Sequence, residues 1–128
     1  MSYNPYARQD ELLSDREREA KLFERMRGRV LLAMKEEDFS LSRARTLADL
    51  HRLWTHVATL VSDDDNKLPT ELRARIVSVA MAMLRDIDGD SPDLDFQAEV
   101  LQNFAEGLRT MSGASTATAG SGPTIVTA

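Results

Sequence analysis

The stretch from Leu47 to Leu84 leaves this chain few ways to fold: two apolar helical runs are joined by the acidic break Ser62-Asp63-Asp64-Asp65-Asn66-Lys67-Leu68-Pro69. In the first run Leu47, Leu50, Trp54, Val57 and Val61 recur at alternating steps of three and four, while Leu53, Ala58 and Leu60 widen the stripe. That is the pattern of a helix with a broad buried face. The second run opens on Pro69, whose fixed φ and missing N–H suit a first helical position. Glu71 follows where the helix dipole favours an anion. From Ile76 to Leu84 the run Ile-Val-Ser-Val-Ala-Met-Ala-Met-Leu has one polar residue, Ser78. A helix with so little hydrophilic surface must be covered nearly all round, so the hairpin is expected at the centre with the rest of the chain as its cover.

The flanking segments supply that cover. Residues 1–13 form an N-terminal arm in which Tyr3 and Tyr6 flank Asn4-Pro5, a pair that favours extended chain or a turn. Ser14-Asp15-Arg16-Glu17 has capping-box spacing and predicts a first helix with Ala20, Phe23, Met26, Val30, Ala33 and Met34 inward. Gly28 within it costs about 1 kcal/mol relative to alanine, which points to close helix approach. Lys35 to Ser40 breaks the pattern, and Ser40 or Ser42 can cap the second helix. The third helix should fade near Asp86. In the turn that follows, Ser91 is placed to cap a fourth helix, with Pro92 as its first residue. Leu94, Val100, Leu101, Phe104 and Leu108 make its apolar face, with Phe96 on the flank. The reading is an all-α, four-helix domain over residues 14–111, with a disordered Ser/Gly/Thr/Ala tail over 112–128 that carries no charge.

At 128 residues the chain suits one core and one cooperative unit. It has no cysteine, which excludes disulfides, thiolate metal sites and a cysteine nucleophile. A polar N-terminus lacks a secretory signal's apolar core, and no apolar run approaches the ~20 residues that span a bilayer. A cytoplasmic protein without membrane insertion is expected. The net charge of −5 is uneven: residues 1–52 carry 11 basic and 10 acidic side chains, and residues 53–128 carry 5 and 11. That balance argues against a general nucleic-acid binder.

Candidate chemistry is sparse. His51 and His56 are turned roughly 140° apart on a helix, the wrong spacing for a metal pair. Asp86, Asp88 and Asp90 alternate as calcium ligands do, but counting from Asp86 the sixth position is Ser91 and the twelfth Gln97, where an EF-hand requires glycine and glutamate. The acidic turns read as solvated caps. No nucleophile elbow, phosphate loop or paired-carboxylate motif is present, so the chain is expected not to be an enzyme, with no catalytic, cofactor-binding or metal-ligating residue assigned. Lys21, Arg25, Arg27 and Arg29 are the residues that would touch RNA phosphate, although glutamates punctuate the same helix. The excess that remains is apolar. Met26, Met34, Met81 and Met83 suit either a core or an adaptable binding surface. Val77 and Met81, about one turn apart and off the Ile76/Val79/Met83 side, are candidates for an exposed stripe. Trp54 reads first as core and second as an interface anchor.

At Arg52-Leu53-Trp54, and again at Asn66-Lys67-Leu68-Pro69-Thr70-Glu71-Leu72-Arg73-Ala74-Arg75-Ile76-Val77-Ser78, the chain resembles the flagellar FlaF family, whose pattern is a Leu-Trp pair, then Asn-x-Leu-Pro and Leu-Arg-Ala leading into an apolar helix. The likeness extends to the opening Ser2-Tyr3-Asn4-x-Tyr6 and to Asn103-Phe104-Ala105-Glu106-Gly107-Leu108. It covers roughly residues 1–109; the tail departs from it. The resemblance implies a cytoplasmic bacterial protein that binds flagellin, supports its secretion and links flagellin synthesis to flagellum assembly, beside the regulator FlbT and the flagellar export apparatus. The flagellin-contacting residues expected on that basis are Leu53, Trp54, Val77, Met81 and Leu84. Two other readings stand beside it: a regulator contacting flagellin messenger RNA through Lys21, Arg25, Arg27 and Arg29, and a helical adaptor that associates with itself through the Val77/Met81 stripe.

Overall fold

Apolar spacing resolves into four helices in a computed structural model that describes residues 15–115, with side chains to 111. They are α1 (Asp15–Ala33), α2 (Leu41–Ser62), α3 (Thr70–Asp88) and α4 (Leu94–Ser115), and the described residues contain no strand. The readings of the arm and of the tail beyond residue 115 lie outside the described residues.

The helix ends show which of the expected signals operate. Helix α1 begins directly after Ser14, which is itself outside the described residues. At the next turn Ser40 is the cap: its hydroxyl accepts from the Arg43 N–H at 3.0 Å and donates to Glu36 Oε2 at 2.8 Å. Two expected starts shift. Pro69 occupies the cap position itself and α3 starts at Thr70, with the Arg73 N–H donating to the Pro69 carbonyl at 2.9 Å. Helix α4 is capped by Asp93 rather than Ser91, because the Asp86 carboxylate holds the Asp93 N–H at 3.0 and 3.1 Å and carries the chain past Pro92 before the helix begins. The Asp93 carboxylate then accepts from the Phe96 N–H at 3.0 Å. Helix α3 continues two residues past Asp86 to its stop at Gly89, and α4 runs to Ser115, beyond the boundary expected at 111.

Contacts along the chain establish alternating directions. Arg43 Nη1 donates to the Ala33 carbonyl and Arg29 pairs with Asp49, so α1 and α2 run antiparallel. His51 meets Asp88 while Arg73 reaches Val61, which sets α3 antiparallel to α2. Arg16 Nη1 reaches the Met111 carbonyl at 2.8 Å, and Phe23 stacks on Phe104, which sets α4 antiparallel to α1. The backbones of α1 and α4 approach most extensively, and Ala20, Ala98 and Ala105 on these helices are buried. The α2/α3 hairpin is the second close pair. The pairs meet through large side chains: the Trp54 ring lies 6.0 Å from Phe23 and 5.2 Å from Phe104, the latter edge-on, in a geometry that aromatic quadrupoles favour.

Most of the expected apolar faces are inward. Ala20, Phe23, Met26, Val30 and Ala33, then Leu50, Leu53, Trp54, Val57 and Val61, are all buried. Met34 is a correction: it follows the last residue of α1 and is exposed, because the helix ends one residue before it. Gly28 is another. A Cβ built there meets nothing within 4 Å, so no neighbouring helix requires the glycine. Helix α3 also differs from the expectation. Ile76, Ala80 and Met83 are buried against the core, but Val77, Val79, Ala82 and Leu84 are only half-covered and Met81 is exposed. Its extensive neighbour is α2; Val77, Val79, Ala82 and Leu84 pack against the core only in part.

Two outcomes follow. Gly28→Ala should stabilise the fold by about 1 kcal/mol in denaturant titration, since the open site gains helix propensity without a clash. Glu24 on α1 is ion-paired with Arg109 on α4, whose hydrogen bond holds the carboxyl below its ordinary range. The pair's contribution is therefore present above the unfolded glutamate range and lost as pH falls through the depressed Glu24 value. NMR titration of Glu24 should show the low midpoint, returning to the ordinary range in Arg109→Gln. Because both side chains are about half exposed, the accompanying stability change should stay below about 1 kcal/mol.

Candidate functional site

Trp54 sits where the two helical pairs join. Its ring is fully buried and its Nε1–H donates to Gln97 Oε1 at 2.9 Å. The Gln97 amide in turn donates to the Met83 carbonyl at 3.1 Å and to Asp86 Oδ2 at 2.9 Å. One buried side chain on α4 thus satisfies the indole of α2 and grips the last turns of α3. The Asp86 carboxylate that fastens Gln97 also holds the entry to α4, which gives the acidic Asp86 turn a structural role.

The α2–α3 turn is held by polar residues of the Asn-x-Leu-Pro and Leu-Arg-Ala segments. Asn66 Nδ2 donates to the Leu60 carbonyl at 3.2 Å, and its Oδ1 accepts from the Leu68 N–H at 3.0 Å. Arg73 donates from Nε to the Val61 carbonyl at 2.8 Å and from Nη2 to the Asp63 carbonyl at 2.7 Å. The orphan carbonyls at the end of α2 are closed by a guanidinium, and buried Leu68 pins the turn to the core.

Two surfaces are left apolar. On α3, Val77, Met81 and Leu84 follow one another at helical steps along a flank; Met81 is 46% exposed and its neighbours half-buried. At the α1–α2 turn, Leu32 and Leu41 are 62% and 64% exposed, Met34 is exposed and Phe39 stands fully in solvent. Here Arg29, Leu32, Glu36, Leu41, Ser42, Arg45 and Thr46 line an open groove of about 460 Å³.

Comparison with known families supplies the decisive observation: the description "Flagellar protein FlaF" matches residues 2–108. The chain belongs to the FlaF family. No curated protein and no solved structure matches it. FlaF membership gives this chain a role in the flagellum, and the central residues of the resemblance, Leu53-Trp54 and Asn66 to Arg73, help build its interior joint and its central turn.

In this FlaF family member the expected contact residues separate into two groups. Leu53 and Trp54 are core, with Trp54 engaged by Gln97, whereas Val77, Met81 and Leu84 are brought together on one flank of α3. The expected RNA contacts fall into a row of three and an outlier. Lys21 and Arg25 are exposed on one row of α1; Arg29 on that row is paired with Asp49 at 2.8 Å, and Arg27 projects elsewhere with its Nε enclosed. Sequence reading missed the α1–α2 turn as a surface. The available signal was Phe39 followed closely by Leu41, large apolar residues inside a charged break where no helical stripe claims them. It also missed Gln97 as a core residue. No helix among the described residues is long and apolar enough to cross a membrane.

The joint makes a quantitative prediction. Gln97→Leu strands the buried Trp54 N–H and should cost about 1–3 kcal/mol in equilibrium unfolding. Combined with Trp54→Phe, which removes the donor, the loss should be smaller than the two single losses added, giving a coupling on the order of 1 kcal/mol in a double-mutant cycle.

Proposed function

We propose that this chain binds flagellin in the bacterial cytoplasm as a non-enzymatic export chaperone, linking flagellin synthesis to its secretion and to flagellum assembly. Family membership supports the flagellar setting. The observation that carries the binding role is the apolar flank of Val77, Met81 and Leu84, where Met81 is exposed and its neighbours pack against the core only in part. Unassembled flagellin must keep its polymerising amphipathic segments from associating early, and an apolar helical surface is suited to shielding such a segment. The regulator FlbT and the export apparatus are the partners that would receive or displace the cargo.

Co-purification with flagellin monomer tests this reading. Met81→Asp, at an exposed position, should leave the circular dichroism spectrum and Tm unchanged while weakening capture roughly tenfold, as expected for a charge forced into an apolar contact. Binding should vary little with salt, whereas contact with messenger RNA phosphate would weaken steeply as salt rises. The reading fails if Met81→Asp and Val77→Asp both fold normally and hold flagellin as tightly as the parent. A self-associating adaptor would instead appear as a dimer by light scattering that Met81→Asp dissociates.

A further inference from the structure

Helix α3 is held in the domain differently from the other helices. It has the same 19 residues as α1, yet it buries Ile76, Ala80 and Met83 alone where α1 buries seven residues. Its backbone approaches α2 extensively, but neither α1 nor α4. Its polar ties sit at its two ends. At the start Arg73 reaches the Val61 and Asp63 carbonyls; at the finish Gln97 holds the Met83 carbonyl and Asp86, and Asp88 lies 3.5 Å from His51. From Ala74 to Ala82 no side chain makes a hydrogen bond or ion pair among the described residues.

Local sequence does little to hold α3 in helical form. Pro69 caps it without a side-chain hydrogen bond, whereas Ser40 and Asp93 cap α2 and α4 through theirs. The β-branched Ile76, Val77 and Val79 lose side-chain freedom in a helix. Glu71 and Arg85 suit the helix dipole, but Asp86 and Asp88 put two acids in the last turn, where it disfavours them. An isolated helix of this length is marginal in water, so α3 is helical because it is docked. Asp86 occupies its unfavourable place for a tertiary reason. Its carboxylate accepts from Gln97 Nε2 at 2.9 Å and from the Asp93 N–H at 3.0 and 3.1 Å, fastening the end of α3 to the start of α4.

We infer that α3 opens as a unit ahead of the rest of the domain, and that the Asp86–Gln97 contact is the latch that sets how often it does. In the open state α3 leaves α4 and the core and loses its helix, while α1, α2 and α4 stay packed through Phe23, Trp54 and Phe104. The Trp54–Gln97 hydrogen bond survives, because it joins α2 to α4 without involving α3. The consequence is regulatory. Val77, Met81 and Leu84 stand in one row only while α3 is helical, so a partner using that flank meets latched chains alone, and its apparent affinity falls with the latched fraction. This inference goes beyond the flagellin reading and does not depend on flagellin being the cargo.

Native-state hydrogen exchange of the full chain, read by NMR over a series of low denaturant concentrations, tests it. Amides from Ile76 to Ala82 should exchange at least roughly tenfold faster than the slowest amides of α1, α2 and α4, and with a weaker denaturant dependence, since opening α3 exposes less surface than global unfolding. Gly28→Ala, which stabilises α1 in both the latched and the open state, should slow the slowest amides roughly fivefold and leave those of α3 unchanged. Glu99→Gly, at an exposed position of α4, should speed the same amides roughly threefold, again without moving α3. Asp86→Ala should speed the α3 amides roughly tenfold, as loss of a hydrogen bond to a charged group does. Local effects alone would slow them, because alanine favours helix and the change removes an acid from the disfavoured end of the dipole. Asp88→Ala, the same change without the Gln97 contact, should leave the α3 amides unchanged or slower. Asp86→Asn, which keeps one acceptor, replaces the alanine variant if that does not fold. The inference is overturned if α3 exchanges at the rates and denaturant dependence of α1 and α4, if Gly28→Ala or Glu99→Gly moves α3 as much as the rest, or if loss of the Asp86 carboxylate leaves α3 unchanged or slower.

Discussion

The architecture depends on an amide buried where three helices meet. Gln97 is fully enclosed, and burying an amide without partners costs several kcal/mol on alkane-like scales. Each of its bonds therefore constrains the assembly: the Trp54 indole fixes the rotation of α2, the Met83 carbonyl fixes the height of α3, and the Asp86 carboxylate ties both to the start of α4. Apolar packing at this joint already resists sliding through interdigitated side chains, and the hydrogen bonds add a directional constraint to it. A displacement of about an ångström leaves buried donors unmet.

That constraint explains the division of the fold into two close pairs. Helices α1 and α4 approach most extensively, with Phe23 and Phe104 in contact between them, whereas α2 reaches both through the Trp54 ring. That ring is where polar precision is needed, and Gln97 supplies it. At the far end of the α2/α3 hairpin Arg73 and Asn66 do the equivalent work, closing carbonyls that would otherwise need water. The hairpin is thus pinned at both ends by side-chain to backbone bonds, and α3 needs no further cover to stay in place. This is how a helix as apolar as Ile76 to Leu84 can keep an open flank.

Much of this was legible in the sequence, for specific reasons. The three-and-four spacing of Leu50, Trp54, Val57 and Val61 has one helical solution, and the structure buries all four. The family motif was legible too, although it left Trp54 open between core and interface anchor; the structure buries it, and Gln97, more than forty positions along the chain, accepts the indole proton. No local pattern marks a glutamine as buried. Glu19, also fully enclosed, looks from the sequence like part of a solvated charged face. Cap positions were misread for the same reason, since Asp93 displaces Ser91 only because Asp86, on the preceding helix, positions its N–H. Exposure at the α1–α2 turn escaped periodicity, which reports what a helix can bury, whereas Phe39 belongs to no helix and was marked only by its place inside a charged break.

The placement of the exposed apolar side chains follows from the topology. With neighbouring helices antiparallel, the α1–α2 and α3–α4 turns lie at one end, and that end carries Leu32, Met34, Phe39, Leu41 and Phe96, while Met81 lies midway along α3. The opposite end carries the Asp63 to Asp65 turn and no exposed large hydrophobic among the described residues. Fully burying one such side chain is worth about 1.5–3 kcal/mol. Several together reach the same scale as the 4–15 kcal/mol lost in translational and rotational freedom on association. Apolar contact at this end is therefore near balance by itself. A surface of that kind favours exchangeable contact over permanent assembly, because its apolar gain barely exceeds the cost of association.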